Sequence, residues 1–452
     1  MGTQARMKSG KLPGKGFFIQ MILTNIVALG FAAVINPLAK DISQDELISE
    51  DQVFYAQSIF YIVTAVFTII WAFAADKVKR VKLLIVSMII WSGAGFLHVL
   101  VDNVAHLIAF QVILGVGVSA TVPLTYSLTT DIIPKDNRSV AFSFLGVAQN
   151  LGSGFAFLLS GLLVDLVGWE GPFVILAILG LVGLPIFALK FKEPRKGQME
   201  EELSGLVDSE GDLDYKIGIG DLKMVITTRS NFWILMSSFT SMIITGAVGA
   251  SFITFMRNEN DHNALPQLAT GILVLTFISQ LIFPVVIGRF ADKIIKKNPL
   301  GNLKILISCT LIAFPTYCIG LLMQFKFGPG GNLIEGNIII FILFVLIMFI
   351  ALGFASVIPA MIDSALSFIN LPEKRSPIYA MVNITRTVGR GLGIAILAYL
   401  SSSVFGGKYG PGMASLTIFF IISIVPIIPC FKTYIKDIKK VNEELKSRGT
   451  TS

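Results

Sequence analysis

Ala72-Phe73-Ala74-Ala75-Asp76-Lys77-Val78-Lys79-Arg80 sets a small residue, an acid and then bases between two long apolar stretches. Far downstream, Gly288-Arg289-Phe290-Ala291-Asp292-Lys293-Ile294-Ile295-Lys296-Lys297 repeats that order in the same setting. A second pair follows suit: Asp131 precedes Pro134-Lys135-Asp136-Asn137-Arg138-Ser139, and Asp363 precedes Pro372-Glu373-Lys374-Arg375-Ser376. Two correspondences in one order predict a chain made of two related halves.

Outward from these loops the chain is apolar: 54% of its 452 residues are hydrophobic and only 14% charged, with a mean hydropathy of +0.76. That composition belongs to a polytopic membrane protein. Twelve segments are long enough to cross the hydrocarbon as helices. They are Gly16–Leu38, Gln52–Ala75, Leu83–Val101, Ala105–Thr130, Ser139–Val164, Gly171–Leu189, Phe232–Met256, Ala264–Gly288, Leu303–Met323, Asn337–Ile369, Pro377–Val404 and Met413–Phe431. The expected fold is an all-α membrane protein of twelve transmembrane helices in two six-helix bundles. The bundles occupy 16–189 and 232–434, with a connector at 190–231 and tails at 1–15 and 435–452. The connector carries an acidic run, Glu200 to Glu202 and Asp208 to Asp214, which reads as a solvated linker, and Ile219–Thr228 as a short interfacial helix.

Lysine and arginine set the orientation. With the amino terminus inside, the tails and short inner loops hold 23 of them, against Lys40, Arg257, Lys326 and Lys408 outside. Both termini are therefore expected in the cytoplasm, and the first segment is read as a helix rather than a cleaved signal. The asymmetry accounts for the net charge of +7 without a nucleic-acid partner. Cys309, Cys318 and Cys430 all fall in predicted helices, so no disulfide is expected. No Cys/His cluster suggests a metal and no phosphate-cradling loop suggests ATP, so no cofactor is expected.

Charge inside a span is costly and persists where it has a task. Arg386 and Arg390, four residues apart, lie on one face of the eleventh helix with Asn383. Counted inward at ~1.5 Å per residue, Arg386 is roughly 14 Å deep and Arg390 roughly 20 Å, near the midplane, while Asp363 on the tenth helix is ~9 Å deep. Asp363 can therefore reach Arg386, either as a structural pair or as a coupling group, and Asp131 is its counterpart in the first half. Arg390 has no acidic partner at its depth. It either receives a carboxylate or phosphate from a substrate or caps backbone carbonyls beside Gly389, Gly391 and Gly393. The first half offers uncharged polar candidates, with Asn25, Tyr126, Gln149 and Asn150 foremost.

These loops resemble the major facilitator superfamily, whose signature between helices 2 and 3 is Gly-x-x-x-Asp-Arg/Lys-x-Gly-Arg/Lys. Ala72 and Lys79 depart from it, and Gly288 keeps it. The resemblance implies two bundles rocking about a central cavity, with Asp76, Lys77, Arg80, Asp292, Lys293, Arg138 and Arg375 forming a cytoplasmic gate that latches in the outward-open state, where bases pair across the bundle interface. Within the superfamily the chain is similar to Spinster-like lysolipid transporters, through Asp131-x-x-Pro134-x-x-x-Arg138-Ser139, Glu193-Pro194-Arg195-x-Gly197 and Gly152-x-Gly154. It departs from that branch where charges are usual: Asn25-Ile26-Val27-Ala28-Leu29 replaces Asn-Tyr-x-Asp-Arg, and Gln111-x-x-x-Gly115-x-Gly117-Val118 replaces Arg-x-x-x-Gly-x-Gly-Glu.

The expected function is transport, secondary active or facilitative, of an amphipathic or small organic anion by alternating access, with no enzymatic activity. A proton-coupled drug or metabolite exporter using Asp363 is the alternative within that class, and a non-transporting receptor or scaffold the alternative outside it. The expected partners are a small-molecule or lipid substrate and the bilayer, the expected state a monomer, and the expected site the plasma membrane.

Overall fold

A computed structural model describes residues 14–45, 48–133, 135–194, 228–328, 332–333, 337–370 and 375–449. It holds twelve helices long and apolar enough to span a membrane. Spans 1 to 6 are Gly16–Asp45, Glu50–Ala75, Arg80–Leu100, Val104–Thr129, Val147–Val167 and Gly171–Lys190. Spans 7 to 12 are Arg229–Arg257, Pro266–Ile295, Gly301–Leu322, Ile338–Ile369, Met381–Val404 and Tyr409–Glu443. The predicted interfacial helix at 219–228 falls almost wholly outside the described residues.

The halves repeat in packing as well as in sequence. Span 1 lies along span 5, span 2 along span 4, and span 3 against spans 4 and 6. Likewise span 7 lies along span 11, span 8 along span 10, and span 9 against spans 10 and 12. The halves meet where span 2 packs on span 11, span 1 on span 7, and span 5 on span 8. Each of these helices satisfies its own backbone hydrogen bonds, so lipid can cover the rest of its surface without leaving polar groups unpaired.

Small residues allow the closest approaches. A Cβ on Gly389 would sit 2.5 Å from the Phe239 carbonyl oxygen, and one on Gly393 would collide with that of Ile243, so span 11 lies directly on the backbone of span 7. Gly152 of span 5 meets the Ile26 carbonyl of span 1 in the same way, whereas Gly154 faces open space. Gly393→Val is therefore expected to destabilise the protein by about 1–3 kcal/mol or more, and Gly154→Ala to be neutral or slightly stabilising. Thermal midpoints of the two purified variants check this, and equal midpoints would contradict it.

Candidate functional site

Span 11 carries two arginines, Arg386 and Arg390, within its membrane-crossing length. Arg386 is fully engaged: Nη2 donates to Asp363 Oδ1 at 2.8 Å and to the Pro359 carbonyl at 3.1 Å, Nη1 to Asp363 Oδ2 at 3.2 Å, and Nε to Ser238 Oγ at 3.2 Å. One guanidinium thus ties span 11 to spans 7 and 10, using the planar fork that matches a carboxylate in two bonds. The Asp363 side chain keeps 39% of its surface exposed, so this ion pair borders accessible space.

Arg390, one turn deeper, is arranged differently. Among the described residues its side chain makes no ion pair and no hydrogen bond, to carbonyls or otherwise. Gly246 of span 7 leaves room for its stem, since a Cβ there would lie 2.6 Å from Arg390 Cα and Cγ. The guanidinium lies over the Tyr61 ring of span 2, 5.4 Å from its centre, while the Tyr61 hydroxyl donates to the Ala32 carbonyl of span 1 at 3.0 Å. Arg390 therefore faces the junction of spans 1, 2, 7 and 11, where it remains exposed. The neighbouring glycines serve packing, against span 7 and, through Gly391, against Ser58 and Tyr61 of span 2.

The polar candidates of the first half separate into two groups. Asn25 is wholly buried and donates to the Met21 carbonyl at 2.8 Å and to Thr125 Oγ1 at 3.1 Å, so it clamps span 1 to span 4 instead of facing a ligand. Tyr126 and Gln149 do come together, Gln149 Nε2 donating to the Tyr126 hydroxyl at 3.4 Å from span 5 to span 4. Both are half-buried, as is Asn383. The Asn150 side chain lies outside the described residues.

At the gate loops, Arg80 is 3% exposed and works within its own half. Its Nη1 lies 2.5 Å from Asp131 Oδ2 and donates to Ser127, and its Nε donates to Glu193 Oε1 at 2.9 Å. Glu193 also accepts from the Val81 backbone N–H at 2.9 Å, near the start of span 3. In this state Asp131 and Glu193 are its partners, and they bind spans 3 and 4 to the segment after span 6, while the expected pairing across the bundle interface belongs to the outward-open state. Lys77 and Lys293 are exposed and form no ion pair among the described residues. The side chains of Asp76, Arg138, Asp292 and Arg375 lie outside them.

Sequence reasoning missed a latch at the opposite end. Arg257, at the end of span 7, reaches Asp41 of span 1 with both terminal nitrogens, at 2.5 and 2.6 Å, and the Pro37 carbonyl at 2.9 Å. Lys40 of span 1 donates back to the Arg257 carbonyl at 3.0 Å and pairs with Glu259 at 3.4 Å. Tyr409 of span 12 donates its hydroxyl to Glu50 of span 2 at 2.8 Å, and Gln267 of span 8 donates to Asp165 of span 5 at 2.6 Å. Among the described residues, the side-chain bonds between the halves lie at this end, apart from Ser58 to the Gly391 carbonyl near mid-depth. The available signal was Arg257 as a rare base on the poorly charged side.

His262 lies in the turn beside this latch. Its ring stacks on Phe325 at 3.9 Å and meets Phe255 edge-on, and its Nδ1 donates to the Phe325 carbonyl at 2.8 Å. Burial, with some help from Lys326, lowers its pKa from 6.5 to about 4. The folded protein then binds fewer protons than the unfolded chain between those values. Stability falls as pH drops through that window, by up to roughly 3 kcal/mol for this group. Adjacent Asp261, raised by burial, acts in the opposite sense. His262→Gln should accordingly lose less thermal stability than the parent between pH 7.5 and 4.5, and an equal loss would contradict this.

Comparison with known proteins fits this geometry. The family model described as Major Facilitator Superfamily matches residues 21–394. The Drosophila melanogaster protein named Protein spinster is 24% identical over 271 residues, covering 58% of this chain and 43% of that protein. A Danio rerio protein named Sphingosine-1-phosphate transporter SPNS2 is 22% identical over 253 residues, 52% of this chain and 49% of that one. The match thus spans less than half the length of either relative. The crystal structure of a bacterial homolog to the human lysosomal transporter Spinster, inward-facing and unoccupied, has a TM-score of 0.74, covering 95% of this chain and 99% of that one at 17% identity. At that identity the likeness is one of fold.

Proposed function

The chain belongs to the Major Facilitator Superfamily and is a multi-pass membrane transporter with Spinster-like relatives, and from that premise we propose that it carries an organic anion, lysolipid-like or small, by alternating access. One observation carries the proposal: Arg390 is a mid-span guanidinium that is exposed, braced by Tyr61 and without a carboxylate partner among the described residues. A charge within a membrane span faces either a partner or an aqueous cavity, so a substrate phosphate or carboxylate entering that cavity completes the site. The zebrafish relative is named for a lipid phosphate, which is chemistry of that kind.

In this proposal Arg386 and Asp363 form a neutral unit that fixes spans 7, 10 and 11 around the anion site, with Asn383, Tyr126 and Gln149 contributing polar contacts. Two six-helix bundles, 16–189 and 232–434, rock about the connector 190–231, with both termini in the cytoplasm of a plasma-membrane protein. The Arg257–Asp41 latch closes the outer end, and the gate loops serve the inner end.

A second reading, proton-coupled export, is favoured by the partly exposed Asp363 carboxylate within its span. Flux of a labelled lysophospholipid and of small organic phosphates in proteoliposomes, with and without a proton gradient, separates the two. Saturable anion flux indifferent to the gradient supports the anion carrier. Gradient-driven flux that Asp363→Asn uncouples while anion exchange persists would install the second reading. Absence of saturable anion flux in folded protein would overturn the anion carrier.

A further inference from the structure

Away from the space between the halves, the start of span 7 and the later part of span 12 enclose a groove of about 740 Å³. Hydrogen bonds tie the helices around it together. Ser230 and Thr433 are hydrogen-bonded at 2.7 Å across the two helices, and Asn231 exchanges two amide hydrogen bonds with Asn370, which follows span 10 directly, at 2.9 and 2.8 Å. Three cations line it, Arg229, Lys432 and Lys436, and all are exposed. Lys432 and Lys436 stand one helical turn apart and so project on one face. Apart from Thr433 the rest of the lining is apolar, with Phe232, Trp233 and Ile428 prominent, and Phe232 and Ile428 are exposed.

The two halves of the lining ask for two kinds of matter at once. Three positive charges within one groove call for a phosphate, and an exposed aromatic and aliphatic wall calls for hydrocarbon. Both meet at the membrane surface, where basic residues attract anionic lipid and tryptophan settles at headgroup level. The groove lies at the end of the molecule that bears the gate loops, which the distribution of bases makes the cytoplasmic leaflet. Its volume falls in the range of small-ligand sites.

We propose that this groove binds the headgroup of one anionic phospholipid, its phosphate among Arg229, Lys432 and Lys436 and its chains against Phe232 and Ile428. The lipid bridges span 7, whose far end carries Arg257, to span 12. It is a site separate from that of the carried anion.

Native mass spectrometry of the full chain in mild detergent, titrated with phosphatidylglycerol or phosphatidylcholine, tests this. The parent should retain phosphatidylglycerol preferentially, and inorganic phosphate at matched concentration should not displace it. Arg229→Gln with Lys432→Gln and Lys436→Gln should weaken that retention about tenfold or more. Lys439→Gln with Lys440→Gln, which removes charge outside the groove, should leave it near the parent's. The three single substitutions, each expected to weaken retention a few-fold, decide the matter if the triple variant does not fold. Equal retention of both lipids, undiminished retention in the groove variants, or a matching loss in the Lys439/Lys440 variant would overturn the proposal. So would phosphatidylglycerol binding that appears only after Glu200–Glu202 and the acids of 208–214 are neutralised, because the acidic connector would then be the occupant.

Discussion

Replacing Arg257 with aspartate is expected to open the outer end of the protein. Arg257 is 6% exposed and Asp41 accepts two short bonds from it, so reversal leaves two acids facing each other across the interface of spans 1 and 7. Breaking a partly buried pair of this kind costs about 3–5 kcal/mol, enough to shift a closed-to-open ratio by roughly 100-fold or more. Thr254 reports the change, because it is buried there and its hydroxyl donates to the Asn36 carbonyl at 3.4 Å. With Cys309, Cys318 and Cys430 replaced, a cysteine at position 254 should resist a membrane-impermeant maleimide in the parent and react in the Arg257→Asp background. Restoring the pair in the reversed sense, with Asp41→Arg added, should protect it again. A cysteine equally protected in all three would show that the ion pair does not hold the outer end shut.

Arg390→Ala should abolish high-affinity anion transport while sparing the fold. The side chain makes no ion pair or hydrogen bond among the described residues, so its removal should cost little stability beyond the packing of its stem on Gly246 and its contact with the Tyr61 ring. A charge-assisted bond to a carried anion contributes about 1.5–3 kcal/mol, which corresponds to roughly 10- to 100-fold in apparent affinity. Arg390→Lys keeps the charge without the fork and should fall between. Arg386→Ala should behave in the opposite manner, lowering thermal stability first, because it removes the two bonds to Asp363 and releases Ser238 and the Pro359 carbonyl. If Arg390→Ala destabilises the protein as much as Arg386→Ala, Arg390 is a packing residue.

How far the sequence carried depends on the distance between cause and effect along the chain. The twelve spans were legible because each is decided by its own apolar length. Their ends were less so. Span 1 runs on to Asp45 because Lys40 and Asp41 are held by span 7 rather than by water, and a hydropathy count stops at the first charge. Span 12 reaches Glu443 because its helix continues with lysines on its exposed face. The Arg386–Asp363 pair could be anticipated, since both depths follow from counting residues along neighbouring helices. The Arg257–Asp41 latch could not, because its partners are far apart in sequence and on different halves. Nor could Arg80 be assigned between an internal and a crossing partner, since Asp131 and Glu193 are brought to it only by the packing of spans 3, 4 and 6. The glycine pair Gly152 and Gly154 shows the same limit: two residues apart on a helix they face different ways, and only Gly152 meets span 1.

The most direct measurement is the flux of a labelled lysophospholipid anion and of its charge-neutral headgroup analogue into proteoliposomes of the parent protein, with protein-free liposomes as the baseline. Saturable flux of the anion, with the neutral analogue no faster than the baseline, is the expected result. Equal saturable flux of both would contradict an anion site at Arg390, and no flux above baseline for either, in protein shown to be folded, would contradict carriage of lysolipid-like cargo.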